Sequence, residues 1–164
     1  MLQSSSAVNG VKFYRRVAVA LTLLIILPYM LSLINLTFAQ SWKIHFFPAA
    51  IILAALIFGA TGGLIAGIGG SLYSALLLGN PYLIVGNALF GLFTGIFYNK
   101  TNKIIPSVGL AFICELPWLI ISDYYFMRLS MEFIAQLVVV LLLANVFWAA
   151  LIQLINKPLR KFLC

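Results

Sequence analysis

The chain has 164 residues, 64% of them hydrophobic and 8% charged, with a formal net charge of +7 and a mean hydropathy of +1.14. Soluble domains carry about 25% charged residues, so this composition excludes a water-soluble protein and describes an integral membrane one. With roughly 20 residues needed per transmembrane helix, the length holds about six spans in one domain, 1–164, with no room for an ATPase, kinase or nucleic-acid-binding module.

The first apolar segment, about Val17–Ala39, follows Arg15 and Arg16. Basic residues, an apolar run and Thr37-Phe38-Ala39 before Gln40 have the outline of a signal peptide. The run of about 20 residues is longer than the usual h-region, so a retained helix is expected. Pro28 removes a backbone hydrogen bond from it and bends it.

The second segment, about Phe46–Phe58, covers roughly 20 Å at 1.5 Å per residue. That is short for a bilayer, so it is tilted, broken or only partly spanning. The third, about Thr61–Leu78, carries a glycine ladder. Small residues recur every fourth position at Gly59, Gly63, Gly67, Ser71 and Ala75, with a second row at Gly62, Ala66, Gly70 and Ser74. Residues four apart share a helix face, and in lipid such a face lets a neighbouring helix approach closely. The ladder therefore marks a packed bundle. It runs into the polar turn Gly79-Asn80-Pro81-Tyr82.

Three more segments follow, about Tyr82–Tyr98, Ile104–Ser122 and Glu132–Ile155. The expected fold is an all-α membrane protein, a bundle of six transmembrane helices. With the N-terminus inside, the cytoplasmic side holds Lys12, Arg15, Arg16, Lys100, Lys103, Lys157, Arg160 and Lys161, and the outside only Lys43 and Arg128. This asymmetry predicts both termini in the cytoplasm. The basic residues set topology and form no nucleic-acid patch.

Glu115 lies well inside the fifth segment, where a charged side chain costs at least about 2.5–3.5 kcal/mol and needs a partner, a proton or a polar cavity. Trp118 shares its face one turn on. In the sixth segment Asn145 has Trp148 one turn on, at a similar depth of about 15 Å from the cytoplasmic end. Asn87 and Gln136 are further intramembrane polar groups, and His45 lies in an outer loop. Glu115, Trp118, Asn145, Trp148, Asn87 and His45 are the candidate ligand contacts: polar groups fix orientation while rings offer stacking surface. A carboxylate beside indoles suits a cationic or heteroaromatic ligand. The competing reading has a protonated Glu115 bonded to another helix and tryptophans that only pack.

Cys114 and Cys164 read as bystanders. No catalytic motif, metal-ligand pair or phosphate-binding loop is present, so the expectation is a protein that is not an enzyme and holds no cofactor of its own.

Phe46-Phe47-Pro48, Phe58-Gly59-Ala60-Thr61-Gly62-Gly63, Gly67-Ile68-Gly69-Gly70-Ser71, Gly86-Asn87-Ala88-Leu89-Phe90-Gly91-Leu92-Phe93-Thr94-Gly95 and the ending Asn156-Lys157-Pro158-Leu159-Arg160-Lys161 form a pattern. It resembles the substrate-binding S components of energy-coupling factor (ECF) vitamin transporters. The similarity covers most of the chain and is a pattern of small residues. Ser71 stands where many S components carry an Asp. Their first-helix Ala-x-x-x-Ala coupling face has its nearest equivalent in Ala18-x-x-x-Thr22, with Ala20 adjacent.

The resemblance implies a plasma-membrane subunit that binds a vitamin-like small molecule from outside, thiamine or a pyrimidine precursor first. It implies docking on a transmembrane coupling (T) subunit driven by two cytoplasmic ATPases, which use the ATP. Ala18, Ala20, Thr22, Gly59, Gly63 and Gly67 would then serve packing and coupling. In thiamine-binding members a Glu and tryptophans hold the cationic rings, with Glu115, Trp118, Asn145 and Trp148 as analogues by type. The alternative is a non-transporting scaffold of the MreD cell-shape type, which needs no cavity.

Overall fold

A computed structural model describes residues 19–20, 22–38 and 42–163. Ala18, part of the expected coupling face, lies outside the described residues.

Helix α1, Thr22–Ser32, opens with a π-helical turn over Thr22–Ile26. Pro28 follows it and lacks the N–H that would close a regular turn there. The first span was expected to continue to Ala39, but the chain leaves the helix after Ser32. It enters strand β1 (Asn35–Phe38), which pairs antiparallel with β2 (Trp42–His45) from Asn35 opposite His45 to Phe38 opposite Trp42. The cause is visible in the sequence. Ile34, Leu36 and Phe38 alternate with Asn35 and Thr37, a period of two that suits a strand and not a helix face.

Helix α2 runs from Phe47 to Leu78 and is interrupted at Gly59, whose φ of 69° and ψ of −157° are not helical. Only glycine adopts this region freely. The two halves fold back on each other. A Cβ placed on Gly70 would lie 3.3 Å from that of Phe47, and one on Gly62 would lie 2.9 Å from the carbonyl oxygen of Ala54. In an unbroken helix Phe47 and Gly70 would be about 35 Å apart. The halves 47–58 and 60–78 are therefore antiparallel neighbours. Gly79, with a φ of 63°, ends the second half in the left-handed cap conformation.

Helix α3 (Tyr82–Thr101) ends at Asn102 in the same left-handed cap conformation, with a φ of 53°. Helix α4 (Ile104–Phe126) contains Pro117 and finishes in a π turn over Ser122–Phe126. Helix α5 (Met131–Leu163) continues past the expected end at Ile155. Among the described residues, four helices are long and apolar enough to cross a membrane: α2 taken over its whole length, α3, α4 and the Met131–Leu154 part of α5.

The core gathers Phe47, Ile51 and Ile52 of α2, Phe90 of α3, Val108 and Phe112 of α4, and Trp148, Ala149 and Ile152 of α5. The seam between α2 and α3 is built almost without side chains. Gly63 faces the backbone of Gly91, Gly67 that of Asn87, and Gly95 that of Gly59 and Ala60. Both small-residue rows are thus occupied within the chain. Gly62 packs under Ala54 and Phe58, and Gly70 under Pro28 and Phe47. The missing side chains of Gly63 and Gly67 let this chain's own helices meet, and Gly95 packs on the backbone at Gly59. Helix α5 is the least enclosed of the four, with Val139, Leu143, Phe147 and Leu154 outward, as befits a face against lipid.

Candidate binding site between α3 and α4

Glu115 is directed at α3. Its Oε1 lies 3.0 Å from where a Cβ on Gly86 would sit, and the Trp118 indole approaches the same point at 3.5 Å. Gly86 thus leaves a niche that a carboxyl and an indole fill together. Glu115 is 8% exposed, and among the described residues nothing hydrogen-bonds its carboxyl. A carboxyl at this depth is costly unless it takes a proton or a partner.

Trp118 donates its indole N–H to the carbonyl oxygen of Tyr82 at 3.1 Å. The Tyr82 ring stacks on Phe126 with centroids 4.6 Å apart, and lies 6.4 Å from the Trp118 ring. Above this aromatic wall, Asn80 donates from Nδ2 to Oδ1 of Asp123 at 3.2 Å, and its Oδ1 accepts the Tyr82 backbone N–H at 3.1 Å. Asp123 and Asn80 are both buried. The result ties the start of α3 to the end of α4 through a polar clasp and a stacked ring pair.

Sequence reasoning assigned no ligand role to Asn80, Tyr82, Gly86 or Asp123. The signal for the first and last was present. Asn80 and Asp123 sit at the facing ends of two successive helices, so antiparallel packing brings them level.

The other candidates are arranged differently. Trp148 donates its N–H to the carbonyl oxygen of His45 at 3.2 Å and lies 4.9 Å from the Phe46 ring. It therefore pins the entry of α2 to α5. The His45 ring lies 5.6 Å from Phe47. Asn145 is buried without a hydrogen-bond partner among the described residues. Asn87 returns its amide to its own helix, bonding Leu83 O at 2.9 Å.

So the structure brings Glu115 and Trp118 together and puts Trp148 with His45. Shallow surface grooves lie elsewhere, one lined by Ala135, Gln136, Val139 and Val140, another by Tyr124, Tyr125, Arg128 and Leu129. Of the expected coupling residues, Thr22 is exposed and Ala20 half-buried. No family model, curated relative or solved structure matches the chain.

Proposed function

We propose that the chain is the substrate-binding subunit of an ATP-driven uptake system of the energy-coupling factor type. It takes a small vitamin-like cation from outside the plasma membrane and passes it to a transmembrane coupling subunit with two cytoplasmic ATPases. In this reading the halves of α2 count as separate membrane segments. Together with α1, α3, α4 and α5 they make six, with both termini in the cytoplasm. The sequence resemblance supports it, and so does the charge asymmetry of the loops.

The observation that carries the ligand-binding part is the buried, unbonded carboxyl of Glu115 in the niche left by Gly86, beside Trp118. A carboxylate inside a span is costly unless something compensates it. A cation with a flat or methylene-rich body would do so, pairing with Glu115 and lying against the indole.

The test is mass spectrometry of small molecules released from the gently purified, then denatured protein. A stoichiometric organic cation is the expected result. A reproducibly empty protein, under conditions where tight ligands survive, overturns the proposal.

The competing reading is the scaffold of the MreD type. One observation favours it: both indole N–H groups are engaged by backbone carbonyls, as in sealed helix packing. An empty protein would give that reading the greater weight.

A further inference from the structure

Helix α5 is longer than the membrane it crosses. Its Met131–Leu154 part alone covers about 36 Å at 1.5 Å per residue, against a hydrocarbon core of about 30 Å. The helix nevertheless continues through Pro158 to Leu163, so the turns after Leu154 lie at the level of lipid headgroups. Two registers run into those turns. On the outward side Val139, Leu143, Phe147 and Leu154 are all more than half exposed. Lys157 and Lys161 follow Leu154 by three and seven residues, in the same register, with Arg160 flanking them. On the inward side Trp148 and Ile152 are buried, and Ile155 and Leu159 continue that register. Cationic positions therefore fall below the face that meets acyl chains, and apolar positions below the face that meets the bundle.

The chain offers these cations no counter-charge. Its three acidic residues are Glu115, Asp123 and Glu132. The first two are buried in α4, and Glu132 is in the first turn of α5, about 38 Å from Lys157 along the helix. Lys100 and Lys103, both exposed, add charge at this same end, since Ile104 at the start of α4 shares a core cluster with Ile152. A stripe that is apolar for four turns and then cationic matches one partner along its whole length. An anionic phospholipid presents acyl chains to the first part and a phosphate to the second. A soluble acidic protein would match only the cations. We propose that α5 binds an anionic phospholipid, with the headgroup at Lys157 and Lys161 and the acyl chains along Leu154 and Phe147. In the orientation proposed above this is the cytoplasmic leaflet, where anionic lipid is concentrated. The site does not depend on the uptake proposal.

The experiment uses the full chain in neutral detergent, titrated with phosphatidylglycerol and with phosphatidylcholine of the same acyl chains. Native mass spectrometry counts the lipids bound. The expected result is that the first phosphatidylglycerol binds at least about tenfold tighter than phosphatidylcholine, because each basic residue at an anionic surface strengthens binding several-fold. Lys157→Gln combined with Lys161→Gln should remove most of that preference. Lys100→Gln combined with Lys103→Gln deletes equal charge at the same end, off the stripe, and should leave it largely intact. Equal losses in the two pairs would mean diffuse attraction and would overturn the site, as would the absence of any preference in the unmodified chain. Glycerol phosphate, a headgroup without chains, should not compete at lipid concentrations; full competition would show that a free phosphate ester is recognised, not a lipid. Displacement of phosphatidylglycerol by polyglutamate at equal charge would assign the cations to an acidic protein instead. Should the Lys157, Lys161 pair of substitutions prevent folding, the unmodified chain's preference against phosphatidylcholine and glycerol phosphate still decides.

Discussion

Gly63 and Gly91 meet backbone to backbone, so that a methyl group on either would overlap the carbonyl of the other. The second half of α2 and the whole of α3 lie along one another through three such contacts, at Gly63, Gly67 and Gly95. In lipid this closeness replaces the hydrophobic drive that holds soluble helices together.

Stability should therefore respond to the glycines by position. Gly91→Val forces rigid backbone apart, and overpacking of this kind costs about 1–3 kcal/mol or more. Gly109→Ala meets nothing within 4 Å and should stabilise α4 by up to about 1 kcal/mol through helix propensity. Apparent melting midpoints of the two variants should move in opposite directions. Equal shifts would mean that the α2–α3 seam is looser than described.

The reversal at Gly59 makes a prediction of its own. With Cys114 and Cys164 replaced by Ser, a Phe47→Cys, Gly70→Cys variant should form an intramolecular disulfide under mild oxidation. The Cβ separation of 3.3 Å is near the spacing of about 3.8 Å found in disulfides. Failure to cross-link would restore one straight helix. Gly59→Ala should lower stability by about 1–3 kcal/mol, because alanine resists this backbone conformation.

Much of this fold was legible because its punctuation is chemical. Gly79 with Pro81 separates α2 from α3, and Asn102 separates α3 from α4. The glycine at 59 parts two segments that hydropathy alone would fuse. The stretch after Ser32 was misjudged because mean hydropathy does not see alternation: Asn35 and Thr37 are diluted by Ile34, Leu36 and Phe38. Depth counting placed Glu115 level with Asn145. It could not foresee that Trp118 turns to Tyr82 while Trp148 turns to His45, since those choices depend on which neighbour offers a free carbonyl. The burial of Asp123 becomes visible only in its contact with Asn80 across the seam.

Orientation is open to direct labelling. Lys103 and Glu132 are both exposed and flank α4 and α5 at opposite ends of α4. In the cysteine-free background, Glu132→Cys should react with a membrane-impermeant maleimide on intact cells. Lys103→Cys should react only after permeabilisation. The reverse pattern would place the termini outside and defeat the loop-charge argument.

The ligand role of Glu115 and the packing role of Trp148 separate cleanly by mutation. Glu115→Gln keeps the volume of the side chain and removes its charge, so it should weaken binding of a cationic ligand more than tenfold with folding intact. Gly86→Ala should act in the same direction, because its methyl would press on Oε1 of Glu115 at 3.0 Å. Trp148→Phe instead deletes the bond to His45 O, worth about 0.5–1.5 kcal/mol, and should lower the melting midpoint without changing affinity. Binding isotherms and melting curves on the three variants are the measurement. Unchanged affinity in Glu115→Gln would remove Glu115 from the site. A loss of affinity confined to Trp148→Phe would move the site to the α2–α5 side of the bundle, around His45 and Asn145.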